Sequence, residues 1–333
     1  MSSLYPQRSG ASTERHATTT STTPTQVLRL PERQTRIVDT SLAIERESAA
    51  DAGTIGFAAR VWTQLALPYR DPGEVSRWER RNGDSTLVVR PATLIARDGS
   101  TYDGFPYGVI PRYVLTWMAT EAVRTQNPRL DMGSSFNEFM VRVGLTKSGS
   151  HARRLKDQLA RLVGATMQVQ DVRREHDGHA VTGQNFNVAE SFELWIPDHD
   201  TTPEHQGALW SNTVTLSPQF YRSIVERPVP VDLRAMRALA GSPLRLDIYT
   251  WLTYRMSYLT RMTLIPWEVL AVQFGGQYTR TRAFKAKFLE ALNAVSVLYP
   301  AANFDADDKG LRLYRSAPHV ARKTAAGLTG GNR

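Results

Sequence analysis

The chain contains no cysteine, which excludes disulfides, thiolate nucleophiles and cysteine-ligated zinc together. It has no apolar run near the ~18 residues that a membrane-spanning helix requires. Its N-terminus lacks the apolar stretch of a secretory signal, so a cytoplasmic protein is expected. There is no GxxxxGK[ST] loop to cradle a nucleotide phosphate, and Gly144-Leu145-Thr146-Lys147-Ser148 has the wrong spacing to be one. HExxH is also missing, and His176, His179, His199 and His205 flank turns without forming a ligand set. Neither a metal nor another cofactor is expected. A rolling-circle nickase would need two histidines around a hydrophobic residue and a nucleophilic tyrosine. His176-Asp177-Gly178-His179 does not fit that arrangement, and Tyr221 reads as packed against its own helix. No catalytic residue is assigned, and a non-enzymatic protein is expected. Acidic residues are in the minority: 32 Asp and Glu face 41 Lys and Arg, a net charge of +9. An acidic polymer suits such a chain.

What is present is a pattern of helices and hairpins. The length of 333 residues accommodates about two domains of roughly 150 residues each. Residues 1–52 form a Ser/Thr-rich tail with too few apolar groups to offset ordering entropy, and are expected to be disordered. Ile55 to Leu67 reads as an amphipathic helix, Asp71-Pro72-Gly73 and Asn82-Gly83-Asp84 as turns, and Leu87 to Val89 as a strand. A helix from Pro111 to Arg124 buries Val114, Leu115, Met118 and Ala122.

Ser135 and Glu138 then have capping-box spacing, and Phe139, Met140 and Val143 share a helical face ended by Gly144. Ser150 is the expected cap of a second helix with Leu155, Leu159 and Leu162 inward. Its outer face carries Arg153, Arg154 and Lys156, with Lys147 and His151 near its start. A helix, a turn and a basic helix outline a helix-turn-helix. The strand-like Ala165 to Val172, Arg173-Arg174, an Asp177-Gly178 turn and Ala180 to Val188 form the hairpin "wing" beyond it. Pro197 to Gly207 reads as an interdomain linker.

The plan recurs about 130 residues later, where Glu268 matches Glu138. Val214 to Leu216 reads as a strand, Pro218 to Val225 and Asp232 to Ala240 as short helices, and Ser242-Pro243 as the start of a long one. Pro266 to Phe274 is a short helix stopped by Gly275-Gly276. Thr279 is the expected cap of a basic helix to about Asn293, with Phe284, Phe288, Leu289 and Leu292 inward. Val295 to Tyr299 and Leu311 to Tyr314 are the expected wing strands, turned at Asp308-Lys309-Gly310. Arg280, Arg282, Lys285 and Lys287 are the candidate contacts here, with Gln277, Thr279 and Thr281 adding polar groups. Arginine bonds two acceptors on a guanine edge, whereas lysine meets phosphate as a point charge. The expected fold is α+β: two tandem winged-helix domains, 53–200 and 207–320, followed by a disordered tail at 321–333.

The segments LALPYRDPG, WERRNG and PYGVIPRYVLTWMATEAVRTQNPRLDMGSSFNEFMVRVGL resemble plasmid-encoded RepA replication initiators of Gram-negative bacteria. So do PVDLRAMRALAGSPLRLDIYTWLTYRMSYL and IPWEVLAVQFGGQYTRTRAFKAKFLEALNAVSVLYP. The likeness runs from about residue 55 to 320. It implies two winged-helix domains and binding to repeats (iterons) in double-stranded plasmid origin DNA. It further implies melting of adjacent AT-rich DNA and recruitment of the host replicative helicase with the host initiator protein. Dimers that repress their own gene, and so take part in copy control, are also implied. An operator-binding repressor without initiation activity is the alternative.

Overall fold

The structure, a computed structural model, describes residues 31–95, 99, 101–193, 213–276, 278 and 280–321. The chain enters through helix α1 (Glu32–Arg46), which the composition of the N-terminal tail assigns to disorder. Its order comes from distant partners. Ile37 is buried, Ser41 Oγ donates to Val297 O at 2.6 Å, and Arg33 Nη2 donates to Ala240 O at 3.1 Å. A helix that buries so narrow a stripe has little local signal. Residues 1–30 lie outside the described residues.

The expected helix from Ile55 to Leu67 is instead a strand, β1 (Ile55–Ala58), and one short helix, α2 (Arg60–Gln64). Strand β1 extends because its partner is Val229–Asp232, far along the sequence, and that pairing overrides the local helical pattern. Gly56 permits the approach, since a Cβ there would lie 2.4 Å from Leu233 Cδ2. Strands β2 (Trp78–Asn82) and β3 (Ser85–Arg90) follow, joined by a two-residue turn in which Gly83 supplies φ 58°. Strands β4 (Ala92–Ile95) and β5 (Thr101–Gly104) pair with each other.

From here one element order is traversed twice. The first pass is α3 (Val109–Thr125), β6 (Arg129–Asp131), α4 (Phe136–Arg142), α5 (Gly149–Gly164), β7 (Thr166–Glu175) and β8 (Gly178–Asn187). Strand β9 (Ala189–Glu193) prolongs β8, and the expected linker at 197–207 lies outside the described residues. Strand β10 (Thr213–Leu216), α6 (Pro218–Val225), β11 (Val229–Asp232) and α7 (Leu233–Ala238) connect the passes. The second pass is α8 (Pro243–Met256), β12 (Thr263–Pro266), α9 (Trp267–Phe274), α10 (Thr281–Leu298), β13 (Phe304–Ala306) and β14 (Gly310–Leu313).

Three boundaries differ from expectation. The N-cap of α10 is Arg280, with no side-chain cap bond, and not Thr279. The cap of α5 is Ser148, whose hydroxyl accepts from His151 N, not Ser150. The valines at 295 and 297 suggest a strand, yet α10 continues to Leu298 and buries Val295 and Leu298 beside Leu292. The hairpin strand is therefore β13. In the second pass β12, β14 and β13 form one sheet in that order. In the first pass β10 is inserted between β6 and β9, while β7 and β8 continue a sheet begun by β2 and β3.

The two passes share one hydrophobic core. The β1–β11 pair crosses between them, and a buried ion pair links α3 to α8. Arg112 Nε and Nη2 donate to Asp247 Oδ1 and Oδ2, each at 2.7 Å, with both side chains under 10% exposed. The same guanidinium donates to Leu67 O at 2.8 Å, Gly108 O at 2.5 Å and Pro68 O at 3.3 Å, so its charge and donors are satisfied together. Removing one member of such a pair leaves a buried charge without compensation. Asp247→Ala should lower the unfolding free energy by about 3–5 kcal/mol in urea titrations. Far-UV and tryptophan signals should still fall in one coincident transition. A loss confined to one of two separated transitions would show that the halves fold independently.

Candidate nucleic-acid interface

The two basic helices, α5 and α10, each follow a short helix across a tight turn. In the first turn, Ser135 Oγ accepts from Glu138 N, and Glu138 Oε2 accepts from Ser134 N at 2.8 Å, a capping box displaced by one residue. Gly144, at φ 85°, closes α4. Its N–H donates to Val141 O and that of Leu145 to Met140 O, the paired bonds of a Schellman stop. Ser134 and Arg142, the latter bound at 2.5 Å, hold the Glu138 carboxyl down at about 2.

The candidate cations divide into engaged and unengaged sets. His151 is engaged: its Nδ1 lies 2.8 Å from Thr146 Oγ1 and closes the turn before α5. Lys156 places Nζ over the Phe136 ring at 5.1 Å, and burial lowers its pKa. Lys285 donates to Asp307 O and Asp308 Oδ1, both at 3.0 Å, and rests on the Trp267 ring, tying α10 to the β13–β14 turn. Lys287 pairs with Glu290 at 2.8 Å, which raises its pKa. Lys147, Arg153, Arg154, Arg280 and Arg282 are exposed and make no ion pair among the described residues. Thr281 is exposed beside them in the first turn of α10, while Gln277 and Thr279 lie outside the described residues.

The hairpins differ in the same way. Arg173 and Arg174 are exposed on β7 and unpaired among the described residues. On β14, Arg312 bonds Asp305 at 3.2 Å and Asp307 at 2.5 Å, so that hairpin neutralises its own arginine. Lys309 at the tip of the second hairpin is exposed and was not among the sequence candidates, although its place in the Asp308-Lys309-Gly310 turn is signal enough. Among the described residues no cluster of three His, Asp or Glu could hold a metal ion, and no helix is long and apolar enough to cross a membrane.

The capping carboxylate gives a direct pH test. Its folded pKa is depressed from the ordinary 4.5 to about 2. Its stabilisation is therefore present above pH 4.5 and is lost as pH falls through 2. Glu138→Gln should be less stable than the parent at pH 7, and the difference should shrink between pH 4.5 and 2. A difference that stays constant with pH would remove the carboxylate from this role.

Residues 105–268 match the family model described as "Plasmid encoded RepA protein". This is just under half of the chain, and it runs from Phe105, before α3, into the first turn of α9. The resemblance carried by the sequence blocks holds over those residues. In fold the chain is similar to a selenomethionine crystal structure of domains 2 and 3 of RctB. The TM-score is 0.50 at 12% identity, covering 77% of this chain and 98% of that one. A second crystal structure of RctB domains 2–3 gives 0.48 at 12% identity, over 78% and 97%. At such identity the likeness concerns the fold alone. No curated protein matches the sequence.

Proposed function

We propose that this chain, whose residues 105–268 match plasmid-encoded RepA proteins, initiates plasmid replication by binding repeated sequences in origin DNA. It acts by binding and not by catalysis. The observation that carries the reading is the repeated helix–strand–helix–helix–hairpin unit, with arginines on both α5 and α10 that are unpaired among the described residues. That order is the one expected of a winged helix, in which the second helix of the turn enters the major groove and its N-terminal residues reach base edges. Arg280 and Arg282 stand at that end of α10 and suit bidentate bonds to guanine. Arg153 and Arg154 on α5, with Arg173 and Arg174 on β7, suit phosphates, which position a protein without reading sequence.

Several copies bound to adjacent repeats would bend the duplex, and unpairing of flexible AT steps relieves that strain. Recruitment of the host helicase and host initiator protein would follow at the opened strand, and self-association would govern repression and copy control. The RepA family match supports this reading over repression alone.

Arg282→Ala should cost about 1–3 kcal/mol on the repeats and relax specificity at one base pair. Arg154→Ala should reduce the slope of log affinity against log salt by about one unit on any duplex. Lys285→Ala should leave that slope unchanged, because its charge is met by Asp308 within the protein. Mobility shifts across a salt series distinguish these outcomes. Permanganate should find reactive thymines beside occupied repeats; protected repeats without unpaired bases, even with host proteins added, would leave a repressor.

A further inference from the structure

Arg80, on β2, is 5% exposed, and its side chain has no ion pair or hydrogen bond among the described residues. Its Nε is buried without a partner. The guanidinium lies over two rings, 4.9 Å from the centre of Trp78 and 5.4 Å from that of Tyr69. The other face of the environment is also cationic: Arg112 lies 5.2 Å from the Tyr69 ring centre, and the carboxylate in this region, Asp247, already takes both of its bonds from Arg112. Two buried guanidiniums thus lie in a region with one carboxylate, which bonds Arg112 and not Arg80. Stacking on aromatic rings offsets part of the desolvation cost but supplies no counter-charge.

This uncompensated arginine forms part of the wall of an open pocket of about 750 Å³ between the 68–80 segment and Gly276. Arg70 at the rim is exposed and unpaired among the described residues. The other charges facing the pocket are neutralised locally: Arg77 by Glu79 at 2.6 Å, and Asp71 by Arg161 at 3.2 Å. Gly276 keeps the site open, because a Cβ there would stand 2.5 Å from Arg80 Nη1. That glycine belongs to the turn between α9 and α10, four residues before Arg280. A chain of that length spans at most about 15 Å.

We propose that this pocket is an anion site belonging to the DNA surface, in which Arg80, with Arg70 at the rim, holds a backbone phosphate of the duplex engaged by α10. The inference rests on the DNA-binding reading above and extends the surface of the second unit to a segment that precedes the first. A phosphate fits because it brings the missing negative charge and accepts from the guanidinium edge. The phosphates flanking a major-groove helix are the anions nearest to such a turn.

The test compares full-length wild type, Arg80→Met and Arg70→Gln on duplex carrying the origin repeats, across a salt series. Methionine keeps an unbranched apolar side chain against Tyr69 and Trp78 while removing the charge. Each variant should reduce the salt slope by about one unit, and Arg80→Met should melt no lower than wild type. Arg70→Gln alters an exposed side chain and keeps the test readable if Arg80→Met fails to fold. Unchanged slopes in the variants that fold, with Arg282→Ala still impaired, would overturn the proposal while leaving the DNA-binding reading intact. A wild type that binds no duplex would overturn both. Stabilisation of wild type, but not Arg80→Met, by inorganic pyrophosphate, with no change in DNA salt slope, would assign the pocket to a free anion and overturn the DNA assignment.

Discussion

The bidentate pair of Arg112 and Asp247 sits at the seam of two half-chains that would otherwise read as separate domains. Four further conditions meet at that seam. The carbonyls of Leu67, Pro68 and Gly108 take the remaining donors of Arg112, β1 pairs with β11, α1 packs across α7 and α10, and β2 lies against α9. A buried ion pair gives little net stability compared with an apolar replacement, but it tolerates few alternative arrangements. Its consequence here is geometric: α5 and α10 are carried by one core, so the spacing and angle between the two basic helices are set by packing and not by a linker.

Within that frame, pairing matters more than counting. Each basic helix offers several cations, yet Lys156, Lys285 and Lys287 are held by Phe136, by Asp307 with Asp308 and Trp267, and by Glu290. The unengaged groups are mainly arginines, at the start of α10, on the outer face of α5 and along β7. Charge density in the sequence favours α10 as the stronger contact. Among the described residues the first unit has more free cations, because its hairpin presents Arg173 and Arg174 while Arg312 of the second is neutralised by Asp305 and Asp307.

The sequence was most legible where the determinants are local. Ser135 with Glu138, Gly144, Asp232, Ser242-Pro243 and the turn at Asp308 are short-range signals, and the structure places caps, stops or turns at each. Legibility failed where a distant partner decides. Strand β1 extends only because β11 is beside it, and α1 is ordered by α7 and α10. The valines of α10 remain helical because Val295 is buried on the same face as Leu292 and Phe288. At the candidate interface, residue types and helix identities could be read in advance. Which cations were already engaged could not, since that depends on contacts such as Lys285 with the carbonyl of Asp307. The uncompensated Arg80 lay in a motif, WERRNG, that carried the family likeness without revealing that one of its arginines is buried.

If α5 and α10 both face DNA as proposed, the shared core holds the two units at fixed separation on the duplex. Hydroxyl-radical footprinting of origin repeats with full-length protein tests it most directly. The account predicts two protected stretches per bound protein at constant spacing, one lost in Arg153→Ala/Arg154→Ala and the other in Arg280→Ala/Arg282→Ala. A single stretch abolished by either double substitution, or two stretches of variable spacing, would contradict it.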